Sequence, residues 1–511
     1  MMEKTRLYNW WLALVAASCM TLYGFDASVF NALQGSQNWL DWFNLDLDKD
    51  SYTIGLINTS YTIGGIVSGF FIAGPVSDYL GRRWGMGLGC LLTIVAAFMQ
   101  AFAPKGVLGC FIAGRVLIGM GQGLALTSGP VYINEISPAY IRGHIMTFWQ
   151  TFYSVGAFMA YWINYACSLH REKLGEWDWR MVVVMQVMIP TLVIVLLPFF
   201  PETPRWYILK NNNVDAARAC LTRLRETPEE VEDELLQIRG AIEYEKEAVA
   251  PGYWALIKDK SVRKRLVLAM ILNVGQQLTG QGTLNSYSTS IYKKVWTSAS
   301  TINLINALWA TFGILFTLNA IWTVDRYGRR WLFLVGSAGM ALCMLLVPVI
   351  SLATPNTATG GKEQPVAIAI VFCLFLFIFF YKPSWGAATW IWTSEIFSAN
   401  VRSQAVGMAS QSQNVANTIF QQFFPTFLAK TGLKCLFFFF AMNIVLGAYV
   451  WFFIPETKGI SLEHMDTLFG SIDHTEKGAQ MLTHDHVENA IDLENQAAGV
   501  QHTQQTEMSG R

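Results

Sequence analysis

The chain has 511 residues, 53% of them hydrophobic and only 14% charged, with a formal net charge of zero. A soluble protein of this size carries about 25% charged residues, so a large soluble helical protein is disfavoured. The neutral balance points to no nucleic acid and to no acidic or basic partner. The eight cysteines are scattered without a CxxC pair or metal-ligand spacing, and most sit inside apolar stretches, as Cys19, Cys90 and Cys373 do. They read as small apolar packers, and neither a disulfide framework nor a metal or other cofactor is expected.

Residues 1–9, MMEKTRLYN, form a short polar leader that runs into an apolar stretch with no small-residue cleavage site. The first apolar stretch is therefore expected to act as its own targeting signal. About twelve candidate spans follow, each near the ~20 residues a helix needs to cross hydrocarbon, where no water satisfies loose backbone groups. Spans 1 to 6 lie near 10–33, 53–77, 84–103, 107–134, 144–168 and 181–200. Spans 7 to 12 lie near 265–292, 302–324, 331–353, 366–392, 403–429 and 434–454. Spans 4, 5, 7, 10 and 11 carry many polar residues and are expected to line a cavity. The reading is an all-α, multi-pass membrane protein with the lipid bilayer as its solvent.

Short loops give the orientation. Arg82 and Arg83, Arg142, and Arg326, Arg329 and Arg330 all fall on one side, assigned to the cytoplasm. The loop between spans 1 and 2, on the other side, is acidic, with Asp41, Asp46, Asp48 and Asp50. Five regions are expected: a cytoplasmic N-terminus (1–9), an N-terminal six-helix bundle (10–200), a cytoplasmic helical linker (201–264), a C-terminal six-helix bundle (265–454) and a cytoplasmic tail (455–511). In the linker, Thr227-Pro228-Glu229-Glu230 is a helix start, with a Thr cap, Pro at the first position and Glu three residues after the cap. The tail beyond about 470 is rich in Gln, His, Glu and Thr, and is expected to be disordered.

The halves echo each other. Glu135 and Arg142 around the 4–5 junction recur at the same separation as Glu395 and Arg402. Asp78 with Gly81-Arg82-Arg83 recurs as Asp325 with Gly328-Arg329-Arg330, and Pro201-Glu202-Thr203 recurs as Pro455-Glu456-Thr457. All of these fall on one membrane face. Such a repeat suggests two related halves with a site between them. Carboxylates and guanidiniums at helix ends make a gate that pairs when the halves close and hydrates when they part. The alternative is that the arginines only set topology, which leaves the matched Glu positions unexplained.

These motifs resemble those of the sugar porter family within the major facilitator superfamily, in the style of its fungal hexose and pentose transporters. The family pattern has a D-R-x-G-R-R loop in each half, P-E-S-P-R after span 6 and P-E-T-K-G after span 12. This chain has Asp78-Tyr79-Leu80-Gly81-Arg82-Arg83, Asp325-Arg326-Tyr327-Gly328-Arg329-Arg330, Pro201-Glu202-Thr203-Pro204-Arg205 and Pro455-Glu456-Thr457-Lys458-Gly459. The resemblance covers about 10–465 and implies a major facilitator fold, twelve transmembrane helices in two six-helix bundles that alternate access. It implies no enzymatic activity. A multi-pass protein of the plasma membrane, both termini cytoplasmic and functional as a monomer, is expected. Tyr79 departs from the family arginine and is expected to loosen one contact of the gate.

Asp26 stands inside span 1 and Arg115 inside span 4. Charges at that depth are expensive and usually functional, and pairing lowers the cost for both. The choice is between a proton-coupling pair and a merely structural one. The resemblance implies the first, because an Asp in the G-[FY]-D motif of span 1 is the family's proton site and an Arg of span 4 modulates it. Gly119-Met120-Gly121-Gln122-Gly123, which superficially looks like a nucleotide loop, has no preceding strand and reads as close helix packing.

Span 7 presents Asn273, Gln277, Gln281 and Asn285 at four-residue spacing, hence one stripe, with Gln276 beside it. Span 11 presents Gln413, Asn417 and Gln421 at the same spacing, span 5 Gln150, and span 10 Trp385 and Trp390 around Gly386. Amides on three spans suit a sugar, although polar stripes also serve as glue between helices. The resemblance implies sugar binding by Gln150, Gln276, Gln277, Trp390, Gln413 and Asn417. The chain departs from it at Gln281-Gly282, where the family has Ile-Asn, at Ser286-Tyr287 for the usual Tyr-Tyr, and at Asn414, often a Trp. The substrate set is therefore Gln150, Gln276, Gln277, Gln281, Asn285, Trp390, Gln413, Asn414 and Asn417. The expected function is proton-coupled import of a hexose or pentose. A uniporter, a disaccharide or sugar-acid carrier, or a non-transporting sugar sensor remain as alternatives, and a channel is disfavoured because matched gates imply alternation.

Overall fold

The computed structural model describes residues 2–137, 139–211, 213–248, 260–357, 361–397 and 399–458, and among these the chain is helical with no strand. The tail beyond about 470 lies outside the described residues. Nine stretches among those described are long and apolar enough to cross a bilayer. They are spans 1 to 4, 6, 8, 9 and 10, plus one continuous stretch, Gln404–Phe453, that holds both 11 and 12. That stretch divides at the 3-10 segment Gly432–Cys435, where Gly432 has φ +58°. Span 11 is thus Ala399–Thr431 and span 12 Leu436–Phe453. Span 5, Ala139–Leu169, and span 7 bring the set to twelve. Span 7 is interrupted: Lys260–Leu278 is followed by Gln281–Tyr292, and Gly280 between them has φ +98°. Only glycine adopts that conformation without strain.

Several helices outrun their apolar stretches. Span 1 runs Met2–Leu33, span 4 Leu108–Ile136 and span 8 Ala299–Tyr327. Hydropathy marks the hydrocarbon, whereas a helix carries its own backbone hydrogen bonds and continues past the boundary. Two spans include π-helical turns, Ser68–Ile72 in span 2 and Lys382–Ala388 in span 10. Large apolar side chains face outward along the helices, among them Phe71, Leu91, Val95, Leu192, Leu315, Phe372 and Val445. A surface of this kind is stable when its solvent is lipid.

The helices pack as two equivalent sets. In the first half, span 1 lies on 5, 2 on 4, and 3 on both 4 and 6; in the second, 7 lies on 11, 8 on 10, and 9 on both 10 and 12. The halves meet through spans 2 and 11, through 5 and 8, and through span 1 and the second segment of span 7. Glycines permit the closest approaches. A Cβ at Gly119 or Gly123 would overlap the backbone of span 2, so the Gly119–Gly123 run does pack helices closely.

Between the halves, helices Pro204–Asn211, Val214–Leu224 and Pro228–Ala248 share a small core that includes Ile208, Leu221, Val231 and Leu235. The Thr227 hydroxyl accepts from the Glu230 amide at 3.3 Å, as its cap sequence requires. The unit is fastened to the first half: Asn9 Nδ2 donates to Leu224 O at 2.9 Å, and Arg225 donates to Ile136 O at 3.2 Å.

Candidate functional site

At the arginine face, each half carries the same knot. The Arg82 guanidinium lies 3.2 Å from Glu135 and 3.2 Å from Asp78. Arg329 lies 2.7 Å from Glu395. The Glu202 carboxylate accepts from the backbone amides of Arg82 (3.1 Å) and Arg83 (3.2 Å), and Glu456 from those of Arg329 and Arg330 (both 2.9 Å). Each glutamate thus satisfies the orphan amides of a helix N-terminus, where the helix dipole favours an anion. Arg83 and Arg330 reach back to the carbonyls of Phe200 and Trp451. Burial raises the Glu202 carboxyl above its ordinary range, opposed by the amides of Thr203, Arg83 and Arg82 and by the Arg82 charge.

From the sequence, these charges are expected to pair when the halves close on this face. The pairs described here instead join spans of one half, binding the 2–3 or 8–9 turn to the end of span 4 or 10 and to the end of span 6 or 12. The side chains of Arg142, Asp325 and Arg402, which belong to the same expected gate, lie outside the described residues, as does that of Gln150. Tyr79, where the family has arginine, is largely exposed and meets Lys210. Its carbonyl accepts from Lys210 Nζ, which also sits 3.6 Å from the centre of its ring.

Inside the first half, Asp26 is fully buried. The expected contact between its carboxylate and Arg115 is not formed. Gln122 Nε2 donates to Asp26 Oδ2 at 2.9 Å, and Oδ1 has no hydrogen-bond partner among the described residues. Arg115 instead donates to the main-chain carbonyl of Asp26 (3.3 Å) and towards Asn58 Oδ1 (3.5 Å), with its guanidinium 4.5 Å from the centre of the Tyr61 ring. Tyr61 in turn donates to Gln122 Oε1. The guanidinium spreads its charge over an aromatic face and neutral acceptors, and the carboxylate is held by an amide.

The amides of span 7 divide by partner. Asn273 donates to Thr393 Oγ1 at 2.9 Å and Gln276 to Trp385 O at 2.7 Å, so both fasten span 10 to span 7. Trp385 is fully buried and donates to Ser337 Oγ at 2.9 Å, which makes it core rather than a wall of the site. Gln277, Gln281, Asn285 and Trp390 remain partly exposed. Across from them on span 11, Gln413 and Asn417 are also partly exposed, and Asn414 is open and donates to Gln411 Oε1 at 3.1 Å. Gly282 fits between two of these groups: a Cβ there would overlap Gln277 Oε1 and lie 3.0 Å from Asn417 Oδ1. Glycine in place of the family asparagine therefore leaves room that those two amides occupy.

Gln421 leaves the stripe to bridge the halves. Its Nε2 donates to Ser286 Oγ (2.7 Å) and Asn417 Oδ1 (3.1 Å), and its Oε1 accepts from Asn58 Nδ2 of span 2. Towards the face opposite the arginines, further bonds close the seam. Asn31 donates to Ser288 Oγ at 2.6 Å, Asn164 to Asn303 Oδ1 at 3.2 Å, and Lys294 pairs with Asp48 at 2.7 Å. Sequence reasoning missed Asn58, Gln122 and Lys382. Their signal was a lone polar residue within an apolar helix, which has functional meaning only when its neighbours are known.

The architecture and these motifs agree with known proteins. Residues 12–469 match the family model described as "Sugar (and other) transporter". The chain is 31% identical over 485 residues to a probable quinate permease of Aspergillus flavus, covering 91% of this chain and 89% of that one. It is also 31% identical over 488 residues to the quinate permease of Emericella nidulans, again with 91% and 89% covered. The inward open conformation of the xylose transporter XylE from E. coli superposes with a TM-score of 0.73 at 23% identity, covering 90% of this chain and all of that one. The proton:xylose symporter XylE bound to 6-bromo-6-deoxy-D-glucose gives 0.72 at 24% identity. With its twelve spans in two equivalent halves and a family match over nearly the whole membrane region, this chain belongs to the sugar transporter family and has the major facilitator fold.

Proposed function

We propose that the protein is a proton-coupled symporter that carries a small polyhydroxylated solute into the cell by alternating access, with its arginine face in the cytoplasm. The observation that carries this reading is a continuous path of polar contacts. It runs from the Asp26 carboxylate through Gln122 and Tyr61 to Arg115, on through Asn58 to Gln421, and from there to Asn417 beside the exposed amides of span 7. Solute and proton would thus act on one seam.

In this mechanism Asp26 holds the proton. Its neutral form no longer offsets the positive charge of Arg115, which alters the hold of Arg115 on Asn58 and hence on the seam. A ligand shifts an equilibrium only by its differential affinity for the two states. Reversing a 1:99 preference takes about 5.5 kcal/mol, more than one hydrogen bond supplies, so solute and proton contribute together. Gln277, Gln281, Asn285, Gln413 and Asn417 hydrogen-bond the solute's hydroxyls, and Trp390 covers its C–H face. The arginine knots keep each half rigid at the cytoplasmic ends, so the halves move as bodies.

The amides alone suit a hexose or pentose. A sugar acid is the second reading, favoured by the relatives that are quinate permeases. The test is uptake of labelled sugars, cyclitols and their acids in transporter-deficient cells, with and without a protonophore. Accumulation that collapses with the protonophore is expected, and Asp26→Asn is expected to abolish accumulation while leaving exchange. An Asn variant that still concentrates solute against a gradient defeats the coupling assignment.

A further inference from the structure

Lys382 has no role in the scheme above. It stands inside span 10, in the π-helical turn Lys382–Ala388, about 20 Å of helix before the span's end at Glu395. An ammonium at that depth is expensive and is retained where it meets a counter-charge or a wet cavity. Among the described residues no carboxylate pairs with it. Its described bond is a long one, 3.4 Å, to Ser154 Oγ of span 5, in the other half. Its side chain is partly exposed and meets Ser154 where the two halves adjoin.

Its surroundings are those of the amide site. One turn along, Trp385 O accepts from Gln276. Next to Ser154 in the chain, Tyr153 accepts from Asn285 through its hydroxyl at 3.1 Å. Ser154 itself lies 3.3 Å from Thr317 Oγ1 of span 8, on the inter-half seam. An unpaired cation thus stands among neutral hydrogen-bonding groups that suit hydroxyls. π-Helical turns of this kind are frequent at functional sites.

We infer that Lys382 is the counter-ion for a carboxylate on the transported solute, which makes the substrate class a polyhydroxylated carboxylic acid in its anionic form. This rests on the transport reading above and adds the residue that selects charge. The amides take the hydroxyls, the ammonium takes the carboxylate, and the seam hydroxyl of Ser154 gives up its place. A neutral sugar leaves the ammonium unpaired in the closed site, which penalises sugars relative to acids.

The test uses the full chain in proteoliposomes with two probes of the same shape, labelled quinate and its neutral carboxamide. Wild-type protein is expected to take up quinate at least tenfold more efficiently, by kcat/KM. In Lys382→Gln the ratio of the two is expected to fall at least tenfold, and Lys382→Arg is expected to keep most of it. The ratio is independent of how much protein folds, and the wild-type comparison needs no variant. Equal use of both probes by wild-type protein, or a ratio that Lys382→Gln does not move, overturns the inference and leaves the transporter reading standing. If wild-type protein moves neither these probes nor any labelled sugar, both readings fail.

Discussion

Removing the amide of Asn58 tests the seam most directly. Asn58 is 4% exposed and bridges three groups. Its Nδ2 donates to Gln421 Oε1 and, at 3.4 Å, to Tyr287 OH, while its Oδ1 faces Arg115. In Asn58→Ala, Gln421 Oε1 loses its described donor while the seam remains closed and dry. A buried acceptor left unpaired costs about 1–3 kcal/mol. When the halves part on this side, water reaches Gln421 and the cost disappears. The whole penalty therefore falls on the closed seam, and the population open on that side rises by about 5- to 150-fold. A cysteine at Ser51, which is buried in the span 2–11 seam, reports this by its labelling rate with a membrane-impermeant maleimide. The rate is expected to rise at least about fivefold in Asn58→Ala, in line with the lower bound of that penalty. Adding Gln421→Leu removes the stranded acceptor and is expected to recover part of the loss, because taking away both partners costs less than taking away one. Unchanged labelling in Asn58→Ala, or strictly additive effects in the double variant, would refute the reasoning.

Two further outcomes follow from the same geometry. At the seam, Lys293 Nζ donates to Gln34 O at 2.8 Å, beyond the end of span 1 in the other half, and burial pushes its ammonium down from 10.5 to about 8, with Arg171 adding to the shift and Asp48 and Asp46 opposing it. Below about pH 8 the lysine is charged both in the closed seam and when hydrated, so the penalty is fully present. From about 8 to 10.5 the closed seam releases its proton first and gains stability as pH rises. Maleimide reacts with the thiolate, so labelling at position 51 is divided by the rate of the same cysteine in the unfolded chain at each pH; this normalised rate is expected to fall between pH 7.5 and 9.5, and Lys293→Met to flatten it, with a flat normalised wild-type profile counting against it. At the site, Gly282→Ala forces Gln277 or Asn417 aside. Loss of one hydrogen bond to solute at about 0.5–1.5 kcal/mol raises KM by about 2- to 10-fold. Kinetics indistinguishable from wild type would place the solute elsewhere.

Much of this protein is legible in the sequence because membrane physics leaves few choices. A chain with long apolar stretches must form helices, since hydrocarbon satisfies no stray backbone group. The repeated Asp78–Arg83 and Asp325–Arg330 motifs then fix two equivalent halves, and Gly81 and Gly328 end helices in both, at φ +101° and +84°. Glu135 with Arg82 and Glu395 with Arg329 were recognisable as a set from spacing alone. Which of them touch was not. They form knots within each half because Glu202 and Glu456 cap the neighbouring helix starts and bring the ends of a single half together. Periodicity likewise placed Asn273, Gln276, Gln277 and Gln421 on polar faces without saying what each face meets. Span 10 claims the first two, span 2 claims Gln421, and Gln277 is left partly exposed. Asp26 and Arg115 stood out as charges in apolar helices, yet Gln122 and Asn58 are the groups that hold them. One helix's sequence sets its own polar and apolar faces. The partner of a buried amide or charge is chosen by a second helix far away in the chain, and only the packed bundle decides that.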